Sequence, residues 1–257
     1  MSFEFCVLGS GSGGNSIAFW DGETSFLIDA GFSCKEIARR LDMIGVDAKD
    51  VDAVFVSHEH VDHARGARVF RNRFGSDVYC TPTVDTWLYS RYSLAASPDL
   101  LPGEPFDVNG FRLRPFEVPH DASQTVGFVV NRGRKKVTVA TDLGHMSSAV
   151  RNRFKNCDAI VLESNHDVQM LKDGPYPIYL KKRILSKNGH LSNIESAATL
   201  STVISDRTKN VILAHLSREN NTPAIALKEA KKHLSGISRT VKVVPADQFV
   251  VCDIVKI

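Results

Sequence analysis

Residues 57–63 read Ser57-His58-Glu59-His60-Val61-Asp62-His63, at the end of an apolar run over 53–57. Gathering three imidazoles and an aspartate at a strand end is costly unless something pairs with them. Imidazole and carboxylate together suit Zn, Mn or Fe. His58 and His60, two apart on an extended segment, point the same way and reach one ion. Asp62 and His63, after the chain turns, reach a second. The pattern is not that of the H-E-x-x-H zinc proteases, because Asp62 stands where the second His is required.

Two ions need more donors than this stretch holds, and the chain offers them at the ends of other expected strands. His120 follows a strand expected at 111–118, in Pro119-His120-Asp121. Asp142 ends one at 136–141, in Thr141-Asp142-Leu143-Gly144, and His215 ends one at 211–214, in Ala214-His215-Leu216-Ser217. A single His in such a place is more often structural. Taken with 57–63, the three complete two shells: His58, His60 and His120 for one ion, Asp62, His63 and His215 for the other, with Asp142 bridging.

Outward from these residues, short β-rich runs alternate with helical ones. Further strands are expected at 3–8, 16–20, 24–29, 77–80, 125–130, 159–162, 241–245 and 248–255, rich in Val, Ile, Phe and Thr. Asp21-Gly22 between two of them marks a hairpin. Ser33 caps a helix with Ile37, Leu41 and Ile44 inward, ended by Gly45. Ser192 and Glu195 form a capping box ahead of 196–204, and Thr222-Pro223 opens a helix over 224–234. Helices also fit 64–74, 83–91, 146–156 and 178–187. With no linker or repeat, residues 1–257 read as one domain of mixed sheets with helices outside.

Composition narrows the class. With 257 residues, 43% hydrophobic and 24% charged, the chain is neither disordered, fibrous nor coiled-coil. No uncharged apolar run approaches ~18 residues, so no membrane span or membrane partner is expected. The first nine residues lack the basic segment and cleavage site of a signal peptide. Five widely spaced cysteines with no C-x-x-C pair read as reduced thiols in a cytoplasm-like compartment. They lie beside no base, so none is a nucleophile. The net charge of +3 permits a polyanionic partner without demanding one.

Gly9-Ser10-Gly11-Ser12-Gly13-Gly14 contains G-x-G-x-x-G after a strand, with Asp29 about 20 residues on. Dinucleotide binding would need a helix next; here a hairpin follows. The run reads as a tight turn, or as a loop brought near an anionic substrate.

The pattern H-x-H-x-D-H, a later His, a T-D-x-G Asp and a final His resembles the metallo-β-lactamase superfamily, over nearly the whole span from Gly9 to His215. The resemblance implies an α/β fold, a four-layer αββα sandwich of two mixed β-sheets flanked by helices, with a dinuclear site at one sheet edge. True β-lactamases lack a bridging Asp like Asp142 and are normally exported, which leaves the thioesterase, lactonase, phosphodiesterase and nuclease branches.

Two segments favour the last. Glu163 ends the run Ala159-Ile160-Val161-Leu162-Glu163, and His190 lies in Gly189-His190-Leu191-Ser192-Asn193. This couple resembles that of the tRNA 3′-processing nucleases, which implies that His190 protonates the leaving oxygen while Glu163 orients and charges it. An alkoxide leaving group needs such an acid; a thiolate needs far less help. His190 also precedes the helix capped by Ser192, whose N–H groups would attract phosphate.

Glu163-Ser-Asn-His-Asp, Gly174-Pro175-Tyr176-Pro177 with Lys181-Lys182-Arg183, and His215-Leu216-Ser217-Arg218-Glu219-Asn220-Asn221 narrow the likeness to the small, cytoplasmic YycJ/WalJ-type group. That resemblance implies 5′-to-3′ exonuclease action on DNA, with two divalent ions, Zn or Mn, activating a shared water or hydroxide. Asp62 and Asp142 would help to orient it, and His166, Arg183 and Arg218 are candidates for substrate contact. The rivals are a small-molecule hydrolase on the same site (cyclic phosphodiesterase, lactonase or thioesterase) and a non-catalytic nucleic-acid-binding module.

Three basic runs could meet a polyanion: Arg65 with Arg68, Arg71 and Arg73; Arg132 with Arg134, Lys135 and Lys136; and Lys181 with Lys182, Arg183 and Lys187. Most such runs are solvated faces. Tyr176 and Tyr179 read as core residues, with base stacking as the alternative.

Overall fold

The structure, a computed structural model, describes residues 2–236 and 240–257. Five strands open the chain: β1 (Glu4–Gly9), β2 (Ser16–Trp20), β3 (Ser25–Ile28), β4 (Ala53–Phe55) and β5 (Asp77–Tyr79). With β13 (Val255–Lys256) they make a six-stranded sheet, ordered β13-β1-β2-β3-β4-β5. The second sheet has seven strands, ordered β12-β11-β10-β9-β8-β7-β6. It comprises β6 (Phe106–Val108), β7 (Phe111–Glu117), β8 (Val126–Arg132), β9 (Lys135–Ala140), β10 (Ala159–Glu163), β11 (Asn210–Ala214) and β12 (Lys242–Pro245).

Three apolar layers hold the sheets and helices together. Between the sheets lie Phe5, Phe19, Phe26, Phe55, Phe111 and Phe128 with Val and Ile neighbours. The rings of Phe19 and Phe26 stack with centroids 5.2 Å apart, and Phe111 meets Phe26 edge-on at the same spacing. Outside the first sheet pack α1 (Cys34–Asp42), α3 (Ala67–Phe74) and α4 (Pro82–Tyr92), through Ile37, Leu41, Phe70, Val84 and Leu88. Outside the second pack α5 (Ser148–Arg153), α8 (Asn193–Val203) and α9 (Pro223–Leu234), through Val150, Leu200, Val203, Ala226 and Ala230. This is the four-layer αββα sandwich. The remaining helices, α2 (Val61–Ala64), α6 (Val168–Asp173) and α7 (Ile178–Ile184), lie in connections that follow β4 and β10.

Local signals account for many boundaries. Asp21 Oδ1 accepts the Thr24 N–H, and Trp20 pairs with Ser25, so Asp21-Gly22 closes the expected hairpin. A strand, not a helix, therefore follows the Gly-rich run. Ser33, Thr81, Ser192 and Thr222 each accept an N–H in the first turn of α1, α4, α8 and α9.

Three expectations change. The helix expected over 64–74 breaks into α2 and α3, because the Gly66 N–H donates to Ala30 O instead of continuing a helical ladder. The strand expected over 248–255 shrinks to Val255–Lys256, because Asp247 Oδ1 accepts the N–H groups of Phe249 and Val250 and folds the chain into a turn. Tyr176 and Tyr179 are not in the core: Tyr179 is 71% exposed and Tyr176 is half-buried. Strand β6 and helix α6 form where no element was expected.

Parallel pairing is what aligns the chemistry. β3, β4 and β5 are mutually parallel, as are β9, β10, β11 and β12. In register, Ala140 faces Leu162, and Glu163 faces Ala214. The residues just beyond these strands therefore emerge together at the carboxyl ends of the sheet.

Candidate metal centre and catalytic cavity

At that edge stand Asp29 after β3, His58 after β4, Asp142 after β9, Glu163 closing β10 and His215 after β11. Asp29, Asp142 and His215 have φ of 63°, 54° and 54°. Left-handed backbone is unfavourable for residues with a side chain and concentrates at functional sites. Here it turns the chain sharply at the strand end. His60 is the extended N-cap of α2, and Asp62 and His63 lie within that single helical turn.

The Gly-rich loop closes the same edge from the other sheet. Ser10 Oγ accepts the His215 N–H at 2.8 Å, and Gln248 Oε1 accepts the Gly13 N–H at 2.9 Å. A Cβ on Gly13 would lie 2.1 Å from Gln248 Nε2, so a larger residue there would push the Gln248 amide aside. At Gly31 a Cβ would lie 1.7 Å from Asp62 O, so the turn carrying Asp62 and His63 packs directly on backbone.

Potential ligand atoms converge in overlapping groups. His58, His60 and His120 form one, and Asp62, His63 and His215 another; within each group the ligand atoms lie within 4.8 Å of one another. Asp142 joins both. Its Oδ2 is 2.9 Å from His63 Nε2, and its Oδ1 is 3.6 Å from His120 Nε2.

Protein groups fix the other face of several rings. His63 Nδ1 donates to Asp29 Oδ2 at 2.7 Å, and His120 Nδ1 donates to Gly189 O at 3.1 Å. His58 Nδ1 donates to Ser57 Oγ at 3.0 Å, and His215 Nδ1 donates to Glu163 Oε1 at 3.0 Å. Metal-binding histidines are held in this way, with one nitrogen tied back and the other free. His58 Nε2 is buried and makes no hydrogen bond. Such an atom costs about 1–3 kcal/mol if nothing meets it. This donor set fits divalent metal.

The electrostatics follow from burial and mutual contact. Burial and the neighbouring His63 ring push the His58 pKa down. Burial works against the His63 imidazolium, but Asp142 and Asp29 outweigh it and hold the ring well above its ordinary range. Burial likewise opposes charge on Glu163, yet His190 and His215 bring its carboxyl down to about 2. The cavity over this centre holds about 270 Å³ and is lined by Ser12, Tyr176, Leu180, Arg183, His190 and Ser217, together with several of the ligand-type residues.

His190 stands in this cavity beside the cluster. Its ring centroid is 5.1 Å from that of His120 and 5.2 Å from that of His215. Its Nδ1 donates to Glu163 Oε1 at 2.7 Å. Burial disfavours the imidazolium, but Glu163 prevails and raises the His190 pKa. Glu163 touches two rings, not one, and its Oε2 accepts the N–H groups of Leu143 and Leu191.

The substrate candidates separate. Arg183 lines the cavity and pairs with Asp121. Arg218 does not line it, but follows Ser217, which does. His166 is 1% exposed and lies outside the lining, with both ring nitrogens free of hydrogen bonds. The N-terminus of α8 offers no open phosphate site: Ser192 and Glu195 cap each other, and the Asn193 N–H donates to His166 O. Of the basic runs, 181–187 reaches the cavity through Arg183. Arg132, by contrast, is buried beneath Phe111 and paired with Asp21, at the end of β8 and β9 away from the centre.

A family model for the beta-lactamase superfamily domain matches residues 24–216. The chain belongs to the β-lactamase superfamily. Within that superfamily it is similar to the exodeoxyribonuclease YycJ of Bacillus anthracis, at 34% identity over 231 residues, covering 88% of this chain and 87% of that protein. It is equally similar to the exodeoxyribonuclease WalJ of Streptococcus pneumoniae, 34% identical over 233 residues, with coverage of 88% and 86%. The crystal structure of the metallo-β-lactamase fold protein YhfI from Bacillus subtilis superposes with a TM-score of 0.73 at 18% identity, covering 98% of each chain, and so shares the fold.

In this superfamily chain, two residues of the centre carry little signal in the sequence. Asp29 reads only as part of a dinucleotide fingerprint, although it ends a strand just as Asp142 does. Asn15 stands out in no motif. Its Nδ2 lies 3.0 Å from His63 Nε2 and donates to Asp62 Oδ2 at 3.3 Å. A strand-end carboxylate was a usable signal for Asp29. Nothing local marks Asn15.

Proposed function

We propose that this chain is a nuclease that hydrolyses phosphodiester bonds in DNA, acting from a strand end, with a pair of divalent ions of the Zn or Mn class. His58, His60 and His120 would hold one ion and Asp62, His63 and His215 the other, with one oxygen of Asp142 toward each. Bound there, such ions supply Lewis acidity and a water of lowered pKa beside the phosphorus.

The observation that carries the reading is the Glu163–His190 couple. Nδ1 of His190 is committed to the carboxylate, which leaves Nε2 to hold a proton. Glu163 favours the charged form of that ring against the effect of burial, and one-fifth of the His190 side chain is exposed in the cavity. A positioned imidazolium is the group that an alkoxide leaving from phosphorus needs. Asp62 and Asp142 would orient the attacking water, and Arg183 would exchange Asp121 for a substrate phosphate. The two exodeoxyribonucleases at 34% identity support DNA and attack from an end. Free cysteines throughout support a reducing, cytoplasmic setting, and no helix among the described residues is long and apolar enough to cross a membrane.

The test is direct. Protein loaded with Zn or with Mn is offered single- and double-stranded DNA and RNA, labelled at either end, beside bis-p-nitrophenyl phosphate and a thioester. Shortening of DNA with release of nucleotides from one end is the expected result. Hydrolysis of the thioester alone would overturn it.

A further inference from the structure

The turn at 247–250 is held firmly. Asp247 Oδ1 accepts two N–H groups within it, Gln248 Oε1 is bound to the Gly13 N–H, and Gln248 O accepts Nη1 of the buried Arg40 at 2.9 Å. Yet this turn presents Phe249 59% exposed and Val250 62% exposed. The Arg218 guanidinium carbon lies 4.9 Å from the centre of the Phe249 ring. A fixed aromatic ring, covered on one side by a cation and otherwise open to water, is built to receive a flat partner.

Its position says which partner. Arg218 directly follows Ser217, and Gly13, gripped by Gln248, directly follows Ser12; both serines line the catalytic cavity. Phe249 therefore stands on the rim of that cavity. At about 270 Å³ the cavity is smaller than the pockets of about 300–1,000 Å³ that enclose drug-sized ligands. It has room for a phosphate and the sugar beside it, so the base attached to that sugar must lie outside. The rim also carries Arg65, whose Nη2 donates to Gly13 O. Cations around an exposed ring complement a polyanion whose bases have π-faces, and stacking of this kind is indifferent to sequence.

We propose that Phe249, backed by Arg218, is a stacking platform for an unpaired nucleobase next to the scissile phosphate. The platform makes single-stranded DNA the preferred form of the substrate. The inference rests on the nuclease reading given above, and it is tested by binding so that the two can fail separately.

Affinities are measured by fluorescence anisotropy for metal-loaded protein in a His190→Ala background, which slows cutting enough to keep the strand whole during the measurement. Two labelled strands of equal length are compared: an ordinary single-stranded oligonucleotide and one made only of abasic sugar-phosphate. The parent binds the ordinary strand about tenfold more tightly. Phe249→Ala closes that gap, and Phe249→Trp keeps it. If Phe249→Ala weakens both strands equally, the ring serves the turn and the proposal falls. An unchanged gap would also sink it, because the base would then rest elsewhere. A closing gap, found together with a parent protein (His190 intact) that cuts no phosphodiester, would uphold the platform while refuting the nuclease.

Discussion

Asp29 Oδ2 accepts a hydrogen bond from His63 Nδ1 at 2.7 Å, and both side chains are out of solvent. The same carboxylate accepts the Ser57 hydroxyl and backbone N–H, so the strand end that carries the first histidines is tied to it as well. Asp29 fixes which nitrogen of His63 faces the centre. Asp29→Asn preserves shape but offers an amide where a carboxylate stood. Metal affinity should fall by about 10–100-fold, as it does when such supports are lost, and titration calorimetry with Zn or Mn measures it. Unchanged affinity would remove Asp29 from the centre.

His190→Ala should separate substrates by their leaving groups. On DNA, where an alkoxide departs, loss of a positioned acid costs about 10²–10⁴ in rate. On bis-p-nitrophenyl phosphate, whose leaving group is stable as an anion, the loss should be much smaller. Steady-state rates of the parent and of His190→Ala on both substrates provide the comparison. Equal losses would mean that His190 acts before the leaving group departs, as a ligand or a brace.

Chelation should loosen the fold. Asp62, Asp142 and Glu163 crowd among six histidine side chains at one sheet edge, with buried polar atoms left over. A metal present at a hundred times its dissociation constant stabilises the folded state by about 2.7 kcal/mol. In a chain of this size that is a rise in Tm of about 5–10 °C. Calorimetric scans with Zn, with Mn and with EDTA should show it. Coincident scans would argue against resident metal.

One ion pair remote from the centre gives a pH signature. Hydrogen bonds from Arg39, then from Arg40, hold the Glu36 carboxyl down to about 2. Its unfolded value is about 4.3. The folded value is the lower, so this contribution is complete above about pH 5 and fades as the pH falls through 4 toward 2. Glu36 is partly exposed, so screening limits the contribution to about 1 kcal/mol. Glu36→Gln should cost that much at pH 7 in urea unfolding, and the difference should narrow below pH 4. A constant difference would mean that packing, not charge, is lost.

Features governed by neighbours in the chain were legible in the sequence. The Ser192–Glu195 box, the Asp21-Gly22 hairpin and the strand-end histidines are written within a few residues. Features that depend on a distant partner were not. The run 248–255 has the composition of a strand, and only its grip on Gly13 and the Asp247 turn, set by tertiary contact, make it something else. Arg132 belongs to a charged run yet is buried, because Asp21 in the β2–β3 turn meets it. Tyr176 and Tyr179 looked like core because aromatic side chains usually are, but the backbone after β10 carries them out to the cavity and beyond it.

The hydrogen bond from the His215 N–H to Ser10 Oγ joins the first loop of the chain to its last third, and Gln248 seals that loop from later still. A nascent polypeptide emerging from the ribosome with 200 residues complete would carry His58, His60, His63 and His120 but neither His215 nor the segment that closes the glycine loop. The cluster can therefore assemble only after Gln248 has been made, long after its first histidines have left the ribosome.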